Sequence, residues 1–220
     1  MNNRIKYRHL FDKKTKIYVA VSGGVDSIAA AHFLNAHNFN MGVFHFNHKT
    51  SDINDEMQNK VIDFAKEIGV ECVVKKRECE LDESQSKEAA LRDCRIKALS
   101  GLGNVVLAHH INDCVESYLM NSFKGIPERV PIPIITSLNK GYIYRPFMLT
   151  RKKSFVNYVN NFELNKFIVE DPTNKDSDYG MRNWVRNEII PTIEKKYKGL
   201  TKIVVKKMNL YYEEKKLKAI

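Results

Sequence analysis

The sequence predicts an α/β protein in which helices cover both faces of a parallel sheet. Short apolar runs alternate with amphipathic stretches up to about residue 123, and this strand–helix repetition is typical of parallel sheets. Polar clusters follow three of the predicted strands, after residues 21, 44 and 108. Ligands of such sheets bind beyond the carboxyl ends of the strands, so the three clusters predict one shared site.

The predicted elements alternate along the first half of the chain. We expect strands at 17–21, 41–46, 70–75 and 104–109, and helices at 26–35, 52–68, 86–99 and 112–123. The second helix has the clearest pattern, because its apolar residues recur at helical spacing and Gly69 follows as a terminator. Those apolar residues are Ile53, Met57, Val61, Phe64, Ala65 and Ile68.

The character of the sequence changes after Gly125. We expect a proline-rich loop at 127–135, a short extended segment at 141–147, and a helix from about Thr150 to about Asn160. A polar loop leads into a helix from about residue 182, and basic helical sequence follows from residue 191. We therefore expect a main domain over 1–195 and a basic C-terminal helix over 196–220.

Composition and charge favour an anionic partner. The chain has 36 Lys and Arg against 26 Asp and Glu, a formal net charge of +10. A basic protein gains affinity for nucleic acid by releasing counterions from phosphates, although a merely soluble basic surface is the alternative. No apolar run reaches the roughly 18 residues that a membrane span needs, and the N-terminus has no apolar targeting segment. We expect a cytoplasmic protein that does not enter membranes.

The cysteines predict neither a disulfide framework nor a zinc site. They are Cys72, Cys79, Cys94 and Cys114, and no two of them form a C-x-x-C pair. In a cytoplasmic chain, scattered cysteines of this kind are expected to be free thiols.

The strongest motif is SGGVDS at residues 22–27, which follows a predicted strand and opens a predicted helix. Glycines let the backbone approach a phosphate, and a helix N-terminus offers free N–H groups. Asp26 would repel phosphates unless a cation intervened, so it predicts Mg²⁺. A plain glycine turn with a helix cap is the alternative. The residues of the motif are Ser22, Gly23, Gly24, Val25, Asp26 and Ser27.

Histidines and carboxylates follow two other predicted strands. Alternation puts His45 and Asn47 on one side of the second strand, although a lone histidine at a strand end is more often structural. His109, Asp113 and Glu116 fall close together if the helix after the fourth strand begins early enough. A metal-free capping network, with the two acids complementing the helix dipole, is the alternative.

Two arginines lie on one face of a predicted helix. Arg92 and Arg95 are three residues apart and therefore neighbours on its surface. Spacing alone favours a solvated basic face.

The motif at 22–27 resembles the pyrophosphate loop of the N-type ATP pyrophosphatases, which cleave ATP to AMP and pyrophosphate. Later segments resemble one branch of that family, the tRNA(Ile)-lysidine synthetases, in both order and spacing. The resemblance extends from about residue 16 to about residue 195 and implies a Rossmann-like PP-loop fold with a C-terminal helical segment. The segments that carry it are 45–48, 88–95, 107–116, 145–146, 170–176, 182–186 and 190–191.

The resemblance implies a ligase that joins free L-lysine to C2 of the wobble cytidine of a CAU-anticodon tRNA(Ile). The reaction would run through an adenylated cytidine and release AMP and pyrophosphate. It would use ATP and Mg²⁺ and would bind tRNA and lysine; a homodimer is a candidate assembly. Relatives often carry further C-terminal domains.

The same resemblance implies a role for each matching residue. The ATP site would comprise residues 22–27 with His45 and Asn47. Asp26, His109, Asp113 and Arg92 would be catalytic, with Asp26 and Asp113 also binding the metal and Arg92 preferred over Arg95 as the substrate arginine. The residues assigned to lysine or tRNA are Arg95, Glu116, Arg145, Glu170, Asp171, Asn174, Asp176, Arg182, Asn183 and Arg186.

Two alternatives remain open. A tRNA 2-thiolating enzyme of the same fold would need a sulfur carrier; no cysteine spacing supports one, and Cys114 would serve only if it lay exposed beside the loop. A non-catalytic tRNA-binding protein is the other alternative, although the intact residues 22–27 argue against it. Lys124-Gly125 and the segment 127–135 depart from the family pattern.

Overall fold

The computed structural model describes residues 4–78 and 87–215, without side chains for residues 87–89 and 175. Within these residues the chain forms a six-stranded sheet in the order β3-β2-β1-β4-β6-β5. Neighbouring strands are parallel except β5, which runs antiparallel to β6. The strands are β1 (Ile17–Ala20), β2 (Met41–Asn47), β3 (Cys72–Lys76), β4 (Val105–Val106), β5 (Ile135–Leu138) and β6 (Gly141–Tyr144).

Helices connect the strands and continue to the end of the described chain. Three short 3₁₀ turns, Leu164–Phe167, Pro172–Lys175 and Ser177–Tyr179, precede the last helices, and a π-helical turn at Val185–Ile189 joins α6 to α7. The helices are α1 (Val25–Ala36), α2 (Ile53–Glu67), α3 (Lys87–Leu99), α4 (Ile111–Phe123), α5 (Lys152–Asn161), α6 (Met181–Trp184), α7 (Ile190–Lys196) and α8 (Leu200–Glu214).

Apolar clusters cover both faces of the sheet. On one face, Val19 and Val43 pack with residues of α1, α2 and α5, including Leu34, Phe64 and Phe155. On the other face, Phe44, Val105 and Ile143 pack with Leu99 of α3. Burial of these side chains supplies the main driving force for folding, and it fixes the sheet edge at which the three polar clusters meet.

A third apolar cluster joins the C-terminal helices to α4. Every fourth residue of α8 is buried, namely Leu200, Val204, Met208 and Tyr212. They pack with Ile111, Cys114, Val115 and Leu119 of α4. Helix α8 is therefore part of the packed body, and the proposed division of the chain near residue 195 stays a prediction.

The structure confirms the predicted fold class and the order of its first eight elements. It corrects the second half in one respect, because the segment after the proline-rich loop forms a β5–β6 hairpin, and only β6 was expected as extended. Strand β5 escapes sequence reasoning since ITSL is too short and mixed to show alternation. No helix in the described parts of the chain is both long enough and apolar enough to cross a membrane.

The cysteine prediction holds in part. Cys72 and Cys114 are free thiols, but Cys94 is disulfide-bonded, which corrects the expectation for this residue. Spacing along the chain cannot reveal a pairing that folding creates. Cys79 lies outside the described residues.

Candidate active site

The carboxyl ends of β1, β2 and β4 meet at one edge of the sheet and surround a cavity. The three strands are neighbours in the order β2-β1-β4 and are parallel, so the residues that follow them come together. The cavity has a volume of about 380 Å³, within the size range of small-molecule sites. Its polar lining comprises Ser22, Asp26, Ser27, His45, His48, Asn54, Arg95, His109, Asp113, Asp171 and Asn174.

The loop between β1 and α1 has the backbone that a phosphate site requires. Gly23 has a φ of 93°, in the region that L-residues avoid, and a Cβ there would lie 3.4 Å from Cγ of Met57. Gly24 is the N-cap of α1, and no side chain caps the helix. The first N–H groups of α1 are thus available to an anion, and the helix dipole favours negative charge there.

The two serines of the loop brace it from within. Ser27 Oγ donates to the Gly24 carbonyl at 2.9 Å and accepts from the Ser22 backbone N–H at 3.1 Å. The Ser22 and Ser27 hydroxyl oxygens lie 3.2 Å apart. From the other side, the Val169 N–H donates to the Gly23 carbonyl at 3.1 Å, which holds the segment containing Asp171 against the loop.

His110 lies between two carboxylates at the start of α4. Its Nε2 is 3.4 Å from Asp26 Oδ2, its Nδ1 is 3.3 Å from Asp113 Oδ2, and its backbone N–H donates to the same oxygen at 2.8 Å. Burial lowers the pKa of His110, but Asp26 and Asp113 outweigh burial and raise it. Burial raises the pKa of Asp113, yet the neighbouring histidines and the His110 N–H bring it below its usual value. These three residues therefore form a chain of close polar contacts at the start of α4.

One oxygen of Asp26 is available for a cation. Asp26 Oδ1 is buried and has no hydrogen-bond partner in the part of the chain that the structure describes, while Lys152 Nζ lies 3.9 Å from Oδ2. Within the same residues, no three His, Cys, Asp or Glu side chains cluster as a metal site. Mg²⁺ at nucleotide sites usually takes one or two carboxylates together with substrate phosphates and waters. Asp26 fits that donor set.

His109 points a different way from its neighbour in sequence. Arg145 Nε donates to His109 Nδ1 at 3.2 Å, and Arg145 Nη1 donates to the Pro133 carbonyl and to Thr136 Oγ1, each at 2.8 Å. Burial, more than the surrounding arginines, lowers the pKa of His109 to about 3. Burial and the charges of Arg92 and Arg95 lower the pKa of Arg145 to about 10, so Arg145 stays cationic at neutral pH.

Two histidines face the cavity from the end of β2. His45 is 3% exposed, and its Nδ1 donates to the Val21 carbonyl at 2.8 Å. Its Nε2 is therefore an acceptor, and no atom in the described ranges bonds to it. Burial lowers the pKa of His45. Burial and the charge of Arg95 lower the pKa of His48 to about 4, so both rings are neutral at pH 7.

The second half of the site is internally paired. Glu116, 2% exposed, accepts from Arg186 Nε at 2.7 Å and from Arg186 Nη2 at 2.9 Å. Asn183 donates to the Thr173 carbonyl at 2.6 Å and to the Asp176 carbonyl at 3.0 Å. The Asn183 contacts hold the 170–176 loop against α6. The Arg186 contacts hold the π-helical turn that follows α6 against α4.

The comparisons with known proteins identify the family. A family model described as "PP-loop domain" matches residues 1–193. The chain belongs to the PP-loop domain family.

Three curated relatives of this PP-loop protein share one name. A "tRNA(Ile)-lysidine synthase" from Bdellovibrio bacteriovorus is 29% identical over 218 residues, covering 96% of this chain and 66% of that protein. One from Oceanobacillus iheyensis is 30% identical over 215 residues, covering 87% of this chain and 44% of that protein. One from Actinobacillus pleuropneumoniae is 25% identical, covering 91% and 48% respectively. The chain thus spans about half to two thirds of the length of these relatives.

A solved structure matches the fold. A U34-tRNA thiolase from Methanococcus maripaludis, solved with its 4Fe-4S cluster, superposes with a TM-score of 0.72 over 95% of this chain and 76% of that chain. Its sequence identity is 16%, so the match supports the PP-loop fold alone.

The structure brings most of the predicted ATP and catalytic residues to the cavity. Asn47 is an exception, because its amide donates to Asp55 Oδ1 and Gln58 Oε1 and accepts from the Lys49 N–H; it braces β2 against α2. Arg92 is exposed and does not line the cavity, whereas Arg95 does. Their binding roles stay predictions, with Arg95 better placed than Arg92.

The residues predicted for lysine or tRNA separate into two groups. Asp171 and Asn174 line the cavity, with Asp171 Oδ1 also accepting from the Thr173 N–H at 2.9 Å. Arg95 lines it as well, and the others lie outside the lining; of these, Glu170 and Asp176 are exposed. The remaining members of that second group are Glu116, Arg145, Arg182, Asn183 and Arg186.

Sequence reasoning assigned no role to His110 or His48, although both face the cavity or its acids. The signal for His110 was its place directly before a helix whose third residue is acidic, as in a capping box. His48 gave no local signal, because alternation along β2 favours residues 45 and 47 instead.

Proposed function

We propose that this PP-loop protein ligates free lysine to C2 of the wobble cytidine of a CAU-anticodon tRNA(Ile), using ATP. Two observations together carry the proposal. The helix that follows the glycine loop has no side-chain cap at its N-terminus, and the similarity to lysidine synthases covers as much as 96% of the chain. That similarity is not confined to the loop. The net charge of +10 favours a polyanionic substrate such as tRNA.

ATP fits the cavity by its chemistry at both ends. The N–H groups at the start of α1 suit its phosphates, and His45 Nε2 is a buried acceptor that suits the amino group of adenine. Asp26 Oδ1 would hold Mg²⁺, which neutralises phosphate charge when bound. Guanine presents a carbonyl oxygen where adenine has its amino group, so His45 also favours ATP over GTP.

The reaction has two steps. In the first, O2 of the cytidine attacks the α-phosphorus, the bond to the bridging oxygen breaks, and pyrophosphate leaves. In the second, the lysine ammonium loses a proton to solvent, the neutral ε-amine attacks C2, the C2–O2 bond breaks, AMP leaves with the oxygen, and a further proton passes from the new amine to solvent. Adenylation is needed because the bare oxygen is a poor leaving group.

Asp113 suits the second step as a fixed negative charge. Its lowered pKa keeps the carboxylate ionised, so it attracts the lysine ammonium more readily than it removes a proton. Arg95, which lines the same cavity, suits a phosphate oxygen.

A single incubation tests the proposal. Purified protein receives ATP, Mg²⁺, labelled lysine and a CAU-anticodon tRNA, and a matched tRNA carries uridine in place of the wobble cytidine. We expect label in the first tRNA only, with one pyrophosphate and one AMP released for each lysine. Release of ADP and orthophosphate, or label in neither tRNA, would overturn the proposal.

Thiolation is a weaker candidate for this chain. Cys114 is buried, its pKa is raised by burial, and its Sγ contacts Met148 Sδ at 4.0 Å. The condition that it lie exposed beside the loop is not met. Sulfide in place of lysine in the same incubation distinguishes the two reactions. Cytoplasmic location and homodimerisation stay predictions.

A further inference from the structure

We propose that His109 acts as a neutral hydrogen-bond donor through Nε2, directed at an oxygen of the reacting ATP–tRNA centre, and that Arg145 holds it in this form. Donation by His109 to the reacting centre rests on the proposed function, whereas the tautomer and the neutral charge of its ring do not. Arg145 is then a positioning residue: its guanidinium acts on substrate through the imidazole.

The hydrogen bond between the two residues fixes the tautomer. An arginine side chain has donors and no acceptor, so His109 Nδ1, which receives the Arg145 Nε–H at 3.2 Å, must be the unprotonated nitrogen. A neutral imidazole with a bare Nδ1 carries its proton on Nε2. The ring lines the cavity, and Nε2 has no hydrogen-bond partner in residues 4–78 and 87–215. The Nε2–H of His109 is therefore available as a hydrogen-bond donor in the cavity.

Arg145 is anchored for this task. It is 6% exposed, and its Nη1 bonds to the Pro133 carbonyl and to Thr136 Oγ1 on the two sides of the start of β5. Its orientation is therefore set by Pro133 and Thr136 at the start of β5, and Arg145 in turn orients the imidazole.

The charges around His109 keep the ring neutral. Arg145 directly after β6, Arg95 on α3 and Arg182 on α6 oppose a proton on Nδ1, and Asp113 on α4 is the charge that favours one. Burial and the three arginines prevail, which places the pKa at about 3. A neutral ring adds no further positive charge among arginines and still provides an N–H for an oxygen that becomes more negative during the reaction.

The adjacent histidine shows the contrast. His110 faces two carboxylates and has a raised pKa, so the pKa values of these consecutive histidines shift in opposite directions. A general acid–base role would suit a histidine that titrates near neutral pH, and His109 does not do so.

Two substitutions of His109 test whether its contribution to the reaction is that of a hydrogen-bond donor. His109→Gln keeps an N–H near the position of Nε2, whereas His109→Glu offers only acceptors at neutral pH. We expect tRNA-dependent pyrophosphate release to fall less than about 10-fold in the first and about 10²-fold or more in the second, as for loss of one preorganised donor. Equal losses in the two variants would overturn the assignment of a donor.

Nitrogen NMR of protein labelled in histidine gives a readout that needs no substrate. We expect His109 to show a bare Nδ1 and a protonated Nε2, unchanged from about pH 8 to about pH 5, where an ordinary histidine titrates. Arg145→Met should permit the other tautomer, and Arg145→Lys, which retains a charged donor, should restore part of the original signal. Circular dichroism checks that both variants fold.

A protonated Nδ1 in the unaltered protein, titration of His109 within that range, or an Arg145→Met spectrum like that of the unaltered protein would each overturn the inference. These outcomes are independent of lysine. Failure of lysine incorporation with the expected NMR pattern would reject the proposed function while the state of His109 stood.

Discussion

Two regions of the site satisfy their polar atoms in opposite ways. The ligand-facing region, residues 22–27, 45–48 and 107–113, leaves Asp26 Oδ1, His45 Nε2 and His48 Nδ1 buried without partners in the described chain. In the braced region, Glu116 and residues 170–186, both Glu116 oxygens accept from Arg186 and the Asn183 amide donates to two carbonyls. Arg182 Nε is an exception, 3.6 Å from Glu116 Oε2.

The difference indicates which region binds and which supports. A buried polar group without a partner costs about 1–3 kcal/mol, and a protein retains such groups where a ligand supplies the partner. Under the proposed function, the substrates would supply the partners that the ligand-facing region lacks. Apart from Asp171 and Asn174, which line the cavity, the braced region is paired largely within itself and fixes the position of the loop behind the cavity.

The largest effect is expected at Asp26. Asp26→Asn removes the charge that suits Mg²⁺ and the partner of His110 Nε2, so pyrophosphate release should fall about 10²- to 10³-fold, as for loss of a major electrostatic group. Asp63→Asn, the same change at an exposed position on α2, is the control and should leave the rate unchanged. Assays over a range of Mg²⁺ measure both. A rate near normal in Asp26→Asn would contradict the view that the first region binds ATP.

Glu116 tests the braced region. Glu116→Gln leaves Arg186 without its carboxylate and should lower the free energy of unfolding by about 3 kcal/mol, the low end for a buried pair, because the Arg186 side chain is 30% exposed. Urea unfolding of Glu116→Gln, Arg186→Met and the double variant gives the coupling energy. The double variant should lose less than the sum of the two. Unchanged stability with a raised KM for lysine would move Glu116 into the ligand-facing region.

Gly23 tests whether the shape of the loop matters beyond its backbone strain. Gly23→Ala and Gly69→Ala both force alanine into positive φ, 93° and 70°, at about 1–2 kcal/mol each. Only at Gly23 does the new Cβ meet a side chain, Met57, whereas Gly69 has open space. We expect similar losses of stability, slightly larger at Gly23, and a raised KM for ATP in Gly23→Ala alone. A raised KM in both variants would mean that global softening affects the site.

The sequence predicted that residues after three strands meet at one cavity, because local chemistry determines where they lie. A strand followed by two glycines and an acid has few other uses, and helix–strand periodicity placed the three strand ends at one edge. The Asp26–His110–Asp113 chain was missed because it depends on which of two consecutive histidines turns toward the loop. That choice comes from the N-cap position of His110 and from the contact of Arg145 with His109, which joins residues 36 positions apart.

The braced region was harder to predict for the same reason. Acids and arginines at 116 and 170–186 suit substrate binding and mutual pairing equally well as a sequence pattern. The packing of α6 and the π-helical turn that follows it against α4 brings Arg186 Nε within 2.7 Å of Glu116 Oε1. Pairing across such a distance in sequence leaves no periodic signal.

The smallest effect on stability is expected on α8, where charge can be changed without disturbing packing. Truncation would expose α4, since Val204, Met208 and Tyr212 are buried against it, but Lys202 and Lys206 are exposed. Replacing both with alanine should change stability by less than about 0.5 kcal/mol. If the two lysines contact phosphates, the slope of log affinity for tRNA against log salt should decrease by about 2. The control is Lys66→Ala with Lys140→Ala. Both lysines are exposed and precede strands β3 and β6, so they lie by the amino ends of the strands, away from the cavity. This control removes the same charge and should leave the slope nearly unchanged.

Equal slopes in the two double variants would show that α8 contributes only net charge. The surface that binds tRNA would then have to lie nearer Arg95 and the cavity.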